Sequence, residues 1–373
     1  MYKLCTIVGT RPEIIKLSSL IKKLDKFFDQ KLIHTGQNYD YELNQIFFED
    51  LNLRKPDYFL NSAGTNANKT ISKIFSKLDN LFNRIKPNAV LILGDTNSGL
   101  ASIVAKKRKI QVFHIEAGNR SFDYRLPEEL NRKLIDHSSD INFTYTDIAK
   151  NYLIAEGIPA DRVIKTGSPM NEVLHENKLK IEKSKILKKL KLKKNEFFLI
   201  SFHREESVDN RKNLLKFIKF LEWLFKKYKK KIIISTHLRT EKRLKKLKEN
   251  FKNIEKNYAS KIFFLRPFSF SDYIKLQRNC AIVFSDSGTL TEEASLLGIK
   301  AIKLRETHER PEGMEEAATI MCGLDLEKIQ NAIKVLQVFR SSKVIRDYSV
   351  DNFSQKIIKN IISYLDYALN KKV

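Results

Sequence analysis

The chain has 373 residues, too long for one compact core and sized for two ordinary domains. Hydrophobic residues make up 42% and charged residues 30%, a globular profile in which no apolar run approaches the roughly 20 residues that span a bilayer. The formal net charge of +25 suits a nucleic-acid binder on its own, yet no aromatic ladder, zinc finger or helix-turn-helix accompanies it, and the lysines at 178–194, 226–231 and 242–252 read as solvated helix faces. Nucleic acid and membrane are therefore not expected as partners, while the charge would still attract a polyanionic nucleotide.

The first residues form a short apolar run ending at Gly9, followed by Arg11, Pro12 and Glu13 with no small-residue cleavage site. This reads as a buried strand over 4–8 rather than a signal peptide, and a cytoplasmic setting is expected. Further strands are predicted at 31–34, 89–93, 111–115 and 141–144. Amphipathic helices are predicted between them at 12–24, 70–85 and 97–107. Such alternation predicts a parallel sheet wrapped by helices. The pattern pauses in a Lys-rich stretch over 173–196. It resumes with strands at 197–201, 232–235, 262–265, 281–285 and 301–304. The second series has helices at 214–227, 240–250, 272–279 and 290–297. The expected division is 1–168, 169–352, and a last helix over 353–373 that crosses back to the first domain. Cys5, Cys280 and Cys322 are widely spaced and odd in number, so neither a disulfide framework nor a zinc site is predicted.

Two doubly wound α/β domains gather chemistry at their strand C-terminal ends. Six motifs fall there. Gly9-Thr10-Arg11-Pro12-Glu13 is a glycine turn entering a helix, suited to a phosphate, with Arg11 as donor and Lys16 one turn on. Gly94-Asp95-Thr96-Asn97 offers a carboxylate or a helix cap. His114-Ile115-Glu116-Ala117-Gly118 ends a buried strand with a carboxylate that needs partners. The same motif continues into Arg125-Leu126-Pro127-Glu128-Glu129-Leu130-Asn131-Arg132 at a predicted helix start, where Glu128 either serves the site or suits the helix dipole. Ser201-Phe202-His203-Arg204 places a histidine at a strand end. Ser285-Asp286-Ser287-Gly288-Thr289, followed by Glu292-Glu293, suits a diphosphate and a ribose diol and also satisfies a capping box. Glu309-Arg310-Pro311-Glu312 follows the next strand. No single motif decides the matter. The set describes a nucleotide-diphosphate site with several carboxylates and no metal signature.

These motifs, in this order and over nearly the whole chain, resemble the bacterial non-hydrolysing UDP-N-acetylglucosamine 2-epimerase family. The resemblance implies two Rossmann-like domains in a glycosyltransferase-B-like arrangement, with the active site in the interdomain cleft. It implies a homodimer and no cofactor. It carries the acid/base carboxylates to Asp95, Glu116 and Glu128, and the basic site residues to Arg11, Lys16 and His203. Nucleotide contacts carry to Ser287, Gly288, Thr289, Glu293 and Arg310, with Arg11 also binding substrate and Tyr273 at a uridine-site aromatic position. Three stretches depart from the usual pattern: Gly36-Gln37-Asn38-Tyr39-Asp40, the short Asn119–Arg125 segment, and His237-Leu238-Arg239-Thr240. They resemble the subgroup acting on UDP-2-acetamido-2,6-dideoxy-β-L-talose to make UDP-N-acetyl-L-fucosamine for capsule or O-antigen. The alternatives are epimerisation of UDP-N-acetylglucosamine to UDP-N-acetylmannosamine, a hydrolysing epimerase, and a glycosyltransferase of the same architecture.

Overall fold

The computed structural model describes residues 1–37, 41–247, 249–339 and 344–365, without the side chains of 41–44, 205 and 206. The departure at Asn38-Tyr39-Asp40 lies outside the described residues. The chain forms two compact units, Met1–Glu176 with Arg346–Val373, and Asn177–Ile345.

The first unit is built on seven strands: β1 (Lys3–Val8), β2 (Asp29–His34), β3 (Tyr58–Phe59), β4 (Ala89–Leu93), β5 (Gln111–Ala117), β6 (Ile141–Thr144) and β7 (Val163–Lys165). Their order across the sheet is β3-β2-β1-β4-β5-β6-β7, and every pairing is parallel. The apolar run of β4 is buried at every residue because helices cover both faces of the sheet. Cys5, Ile7, Val90, Ile92 and Val112 on one face pack with Ile74, Leu78, Leu81 and Phe82 of helix Ala67–Ile85. That helix shows the 3.6-residue apolar spacing its sequence predicts.

The second unit repeats the plan with β8 (Phe197–Ser201), β9 (Lys231–Ser235), β10 (Ile262–Leu265), β11 (Val283–Ser285), β12 (Ala301–Lys303) and β13 (Ile320–Met321). The order is β10-β9-β8-β11-β12-β13, again all parallel. Alternate residues of β8 serve opposite faces, as the pleat requires. Phe198 and Ile200 join Phe217, Leu221 and Leu224, whereas Phe197 and Leu199 join Leu276, Leu290 and Ala294.

The divisions fall later and earlier than the sequence predicts. Helix Met170–Glu176 stays with the first unit because Glu172 pairs with Lys23 and accepts hydrogen bonds from the backbone N–H and hydroxyl of Ser354. Residues 346–352 also belong there: Ser168 N–H donates to the Asp347 carbonyl, and Asn171 donates to the carbonyls of Ser349 and Val350. Helix Phe353–Tyr364 then buries Phe353, Ile357, Ile358 and Ile361 in that unit. The helix predicted over 97–107 begins only at Ala101, because Thr96 to Gly99 are spent in successive turns. The helix predicted over 240–250 is two, Leu238–Lys245 and Glu249–Tyr258. Short strands β3, β7 and β13 were not predicted. Among the described residues no helix is long and apolar enough to cross a membrane.

Candidate active site

In each sheet the strand order reverses between the first strand and the fourth, and a ligand crevice opens at such a switch point beyond the strand C-terminal ends. In the first unit the strands are β1 and β4, so the segments there are Gly9–Glu13 and Gly94–Asn97. Gly9 is required by closeness: a Cβ there would lie 2.0 Å from Ser98 Oγ and 2.4 Å from Thr35 Oγ1. Buried Glu13 fastens the two segments together. Its Oε2 accepts from Gly9 N–H at 2.5 Å and Thr10 N–H at 2.7 Å, and its Oε1 from the Thr96 hydroxyl at 2.5 Å. Burial pushes the Glu13 carboxyl up to about 7, against the pull of those hydrogen bonds. Arg11 opens helix Arg11–Phe27 with its guanidinium over the Phe47 ring at 5.8 Å.

Lys16 and Glu116 come together: Nζ lies 2.5 Å from Glu116 Oε2, with side chains 3% and 14% exposed. The Tyr145 hydroxyl donates to the same oxygen at 3.1 Å, and the Asn119 amide to Oε1 at 3.4 Å. Glu116 has φ +68° and sits where the β5–β6 register shifts between Ile115 and Ala117. A non-glycine residue in the left-handed region carries backbone strain, and here it turns a carboxylate out of a buried strand. The bulge is flanked by ties to buried Asp136, which accepts from Gly118 N–H and Arg120 and lies 2.9 Å from His114 Nδ1.

Asp95 is held by helix Pro127–Ser138. Its Oδ2 is 2.6 Å from Arg132 Nη2, and its carbonyl accepts from Asn131 at 2.9 Å. Among the described residues, Asp95 Oδ1 takes no hydrogen bond. Glu128 stands half-buried in the first turn of that helix. Its neighbour Glu129 is fully buried, accepting from Ser121 N–H, Ser121 Oγ, Phe122 N–H and Arg132. Burial raises the Glu129 carboxyl, but these bonds outweigh it and hold the group below the ordinary carboxylate range.

In the second unit the switch-point strands are β8 and β11, leading to His203 and to Asp286–Thr289. Asp286, fully buried after β11, accepts from the backbone N–H groups of His203 and Arg204 at 3.0 and 2.9 Å and lies 3.3 Å from His203 Nδ1. Burial disfavours its charge, yet His203 and these donors hold it below the ordinary range. Ser201 Oγ lies 3.2 Å from His203 Nδ1, and the His237 ring stands 6.4 Å from that of His203. Ser287 and Thr289 hydroxyls meet at 2.9 Å at the entry of helix Leu290–Leu297. Gly288 between them lies close to Glu309: a Cβ there would stand 2.1 Å from Glu309 Oε1, so that carboxylate would have to move. Glu309 is gripped by Arg305 at 2.8 Å and Arg204 at 3.3 Å. One turn into the helix, Glu293 accepts from Gln277 at 2.6 Å, and Arg310, 1% exposed, lies 3.5 Å from Glu292. Tyr273 is half-buried on helix Phe270–Asn279. Arg239, one of the departures, pairs with Asp209 at 2.8 Å.

Sequence reasoning passed over Glu13, Arg132, Tyr145, Asp286 and Glu309. The i,i+3 spacing of Glu129 and Arg132 is a signal that could have paired those two residues. Among the described residues no cluster of three or more His, Cys, Asp or Glu side chains is placed to hold a metal ion.

Two Rossmann-like parallel-sheet units of the same strand order define the glycosyltransferase-B-like class of α/β proteins. The profile of the family described as UDP-N-acetylglucosamine 2-epimerase matches residues 22–362. The chain belongs to that family, whose members are epimerases, a class of isomerase. It is similar to the solved structure of UDP-N-acetylglucosamine 2-epimerase from Rickettsia bellii, with 48% identity, a TM-score of 0.91, and coverage of 100% of this chain and 99% of that one. The Methanocaldococcus jannaschii UDP-GlcNAc 2-epimerase, solved in complex with UDP-GlcNAc and UDP, has 36% identity, a TM-score of 0.91, and coverage of 97% and 99%. A UDP-N-acetylglucosamine 2-epimerase of Methanococcus maripaludis is 38% identical over 369 residues, 97% of this chain and 98% of its own.

Proposed function

We propose that this chain inverts carbon 2 of a UDP-linked 2-acetamido sugar by eliminating and re-adding UDP. The observation that supports this most is Glu116, a carboxylate turned out of a buried strand in a strained backbone conformation, with Lys16 and Tyr145 on one of its oxygens. Strain of that kind persists where a side chain must be aimed. In the forward half-reaction a carboxylate takes the C2 proton. The C–H electron pair becomes the C1–C2 double bond of a 2-acetamidoglycal, and the C1–O pair departs with UDP. UDP then re-adds at C1 while a proton reaches C2 from the opposite face. Two faces call for two proton-handling groups, and Asp95, Glu116 and Glu128 are the set. Arg11 and Lys16 supply positive charge, and His203 a ring nitrogen, for the departing diphosphate. Ser287, Gly288 and Thr289 give it hydroxyl and backbone donors, with Tyr273, Glu293 and Arg310 toward the nucleoside. No cofactor takes part in this route.

The sugar in this reading is UDP-2-acetamido-2,6-dideoxy-β-L-talose, giving UDP-N-acetyl-L-fucosamine for capsule or O-antigen synthesis. The departures at 36–40, 119–125 and 237–240 support it. UDP-N-acetylglucosamine is the second reading, favoured by the names of the relatives and by the ligand of the M. jannaschii structure. A homodimer working in the cytoplasm belongs to the same proposal. Initial rates with each purified UDP-sugar, without an acceptor, decide between the substrates. Free UDP rising in step with sugar release would replace the proposal with hydrolysis, and dependence on an acceptor would replace it with glycosyl transfer.

A further inference from the structure

Helix Pro127–Ser138 grips Asp95 twice. Asn131 fixes the Asp95 carbonyl at 2.9 Å, and Arg132 takes carboxylate Oδ2 at 2.6 Å. Arg132 is itself 3% exposed, so its guanidinium is held inside the protein rather than waving in solvent. Its other arm, Nη1, meets Glu129 Oε2 at 2.7 Å. The same Glu129 carboxylate closes the following turn in space, receiving Ser121 N–H at 3.0 Å, Ser121 Oγ at 2.8 Å and Phe122 N–H at 3.1 Å. Phe122 is in the left-handed region at φ +55°, so that segment is held in a shape it would not choose alone. One planar fork therefore joins the end of β4 to the 121–122 segment through a fully buried carboxylate. Lysine, a point charge, cannot bridge both oxygens with this geometry.

We propose that Arg132 is the positioning residue of Asp95: it fixes Oδ2 and thereby aims Oδ1, which takes no hydrogen bond among the described residues, at carbon 2 of the sugar. This rests on the reading of Asp95 as a proton-handling group. It adds that the aim of Asp95 is set together with the 121–122 segment, so a change in that segment alters the proton transfer as well as the fit of the sugar. The fork acts on the chemical step. Its loss lowers kcat and leaves KM nearly unchanged, because an aimed base matters most in the transition state.

The test compares wild-type protein, Arg132→Lys, Arg132→Met, Asp95→Asn and the Asp95→Asn/Arg132→Met double variant. Circular dichroism and melting establish that each is folded. The readouts are kcat, KM and C2 deuterium uptake on UDP-N-acetylglucosamine and on UDP-2-acetamido-2,6-dideoxy-β-L-talose. Arg132→Met is expected to lose about 100-fold in kcat with KM within about threefold, the cost of a base displaced by about 1 Å. Arg132→Lys is expected to lose about 10-fold, as one arm of the fork is kept. The double variant is expected to be no slower than Asp95→Asn, because both changes remove one function. A purely structural Arg132 would instead slow the double variant multiplicatively, and that result overturns the proposal. Should Arg132→Met not fold, Arg132→Lys at wild-type kcat overturns it equally. Wild-type protein inactive on both sugars would refute the functional reading itself, a different outcome from active wild type with unaffected Arg132 variants.

Discussion

The left-handed backbone at Glu116 makes a prediction about stability that is separate from activity. Replacing Glu116 by alanine or by glycine removes the same ion pair with Lys16 and the same hydrogen bond from Tyr145. The two variants then differ only in backbone preference at φ +68°. An L-residue in that region costs roughly 1–2 kcal/mol. Glycine escapes that cost but gives up about 0.4–1 kcal/mol through its freer unfolded chain. The difference leaves Glu116→Gly more stable than Glu116→Ala by about 0.5–1 kcal/mol, a factor of about 2 to 5 in the folding constant. Guanidinium denaturation followed by far-ultraviolet circular dichroism measures this. Trp223, the chain's one tryptophan, lies in the second unit, so its fluorescence reports that unit separately. Both variants are expected to lose at least about 1,000-fold in epimerisation, as an aimed proton-handling group is gone. An alanine variant as stable as the glycine variant would refute the argument that Glu116 is held under strain for its chemistry.

Other expectations follow from the same geometry. Gly288→Ala drives a Cβ into Glu309, a carboxylate gripped by two arginines. UDP affinity measured by calorimetry should fall about 10-fold or more, the size of losing one charge-assisted contact, with little change in melting temperature. Glu13, pushed up to about 7 in the fold against 4.5 ordinarily, binds a proton on folding between those pH values. Its contribution is present below pH 4.5 and is lost as pH rises toward 7, at up to about 1.4 kcal/mol per pH unit. Glu13→Gln mimics the protonated form, with its amide donating to Thr96 and its carbonyl accepting from Gly9 and Thr10. Denaturation midpoints of that variant should be flatter with pH across this window than those of wild type. His34 has the opposite sense: burial pushes it down to about 4, and its Nδ1 accepts from Gly36 N–H. Its contribution is present above pH 6.5 and is lost as pH falls toward 4. His34→Phe should remove that loss, read again as denaturation midpoint against pH.

Much of the architecture was legible because it is written in local pattern. Strands such as 89–93 and 197–201 are continuous apolar runs, which only a sheet covered on both faces explains. The segments after them stood out for the same reason: charge directly after a buried strand has to go somewhere. Lys16 and Glu116 were both marked from such positions, though not as partners, since 100 residues separate them. The short strands β3, β7 and β13 escaped because two or three residues carry no period. The domain ends shifted because Glu172 binds Ser354 across 182 residues, a contact with no local sign. Glu13, Arg132 and Asp286 sat inside recognised motifs and were still passed over. Each acts by holding another group rather than by facing a ligand, and that role shows only in three dimensions.

Epimerisation by elimination and re-addition makes one demand that neither hydrolysis nor glycosyl transfer shares. The C2 proton is lost to a carboxylate and replaced from solvent while UDP stays with the sugar at the end. Turnover of the UDP-sugar in heavy water, followed by mass spectrometry and proton NMR, tests it directly. The account predicts product carrying one deuterium at carbon 2 and still bearing UDP, with Asp95→Asn, Glu116→Gln and Glu128→Gln each slowing that incorporation. Epimerised product with its C2 proton retained would contradict it.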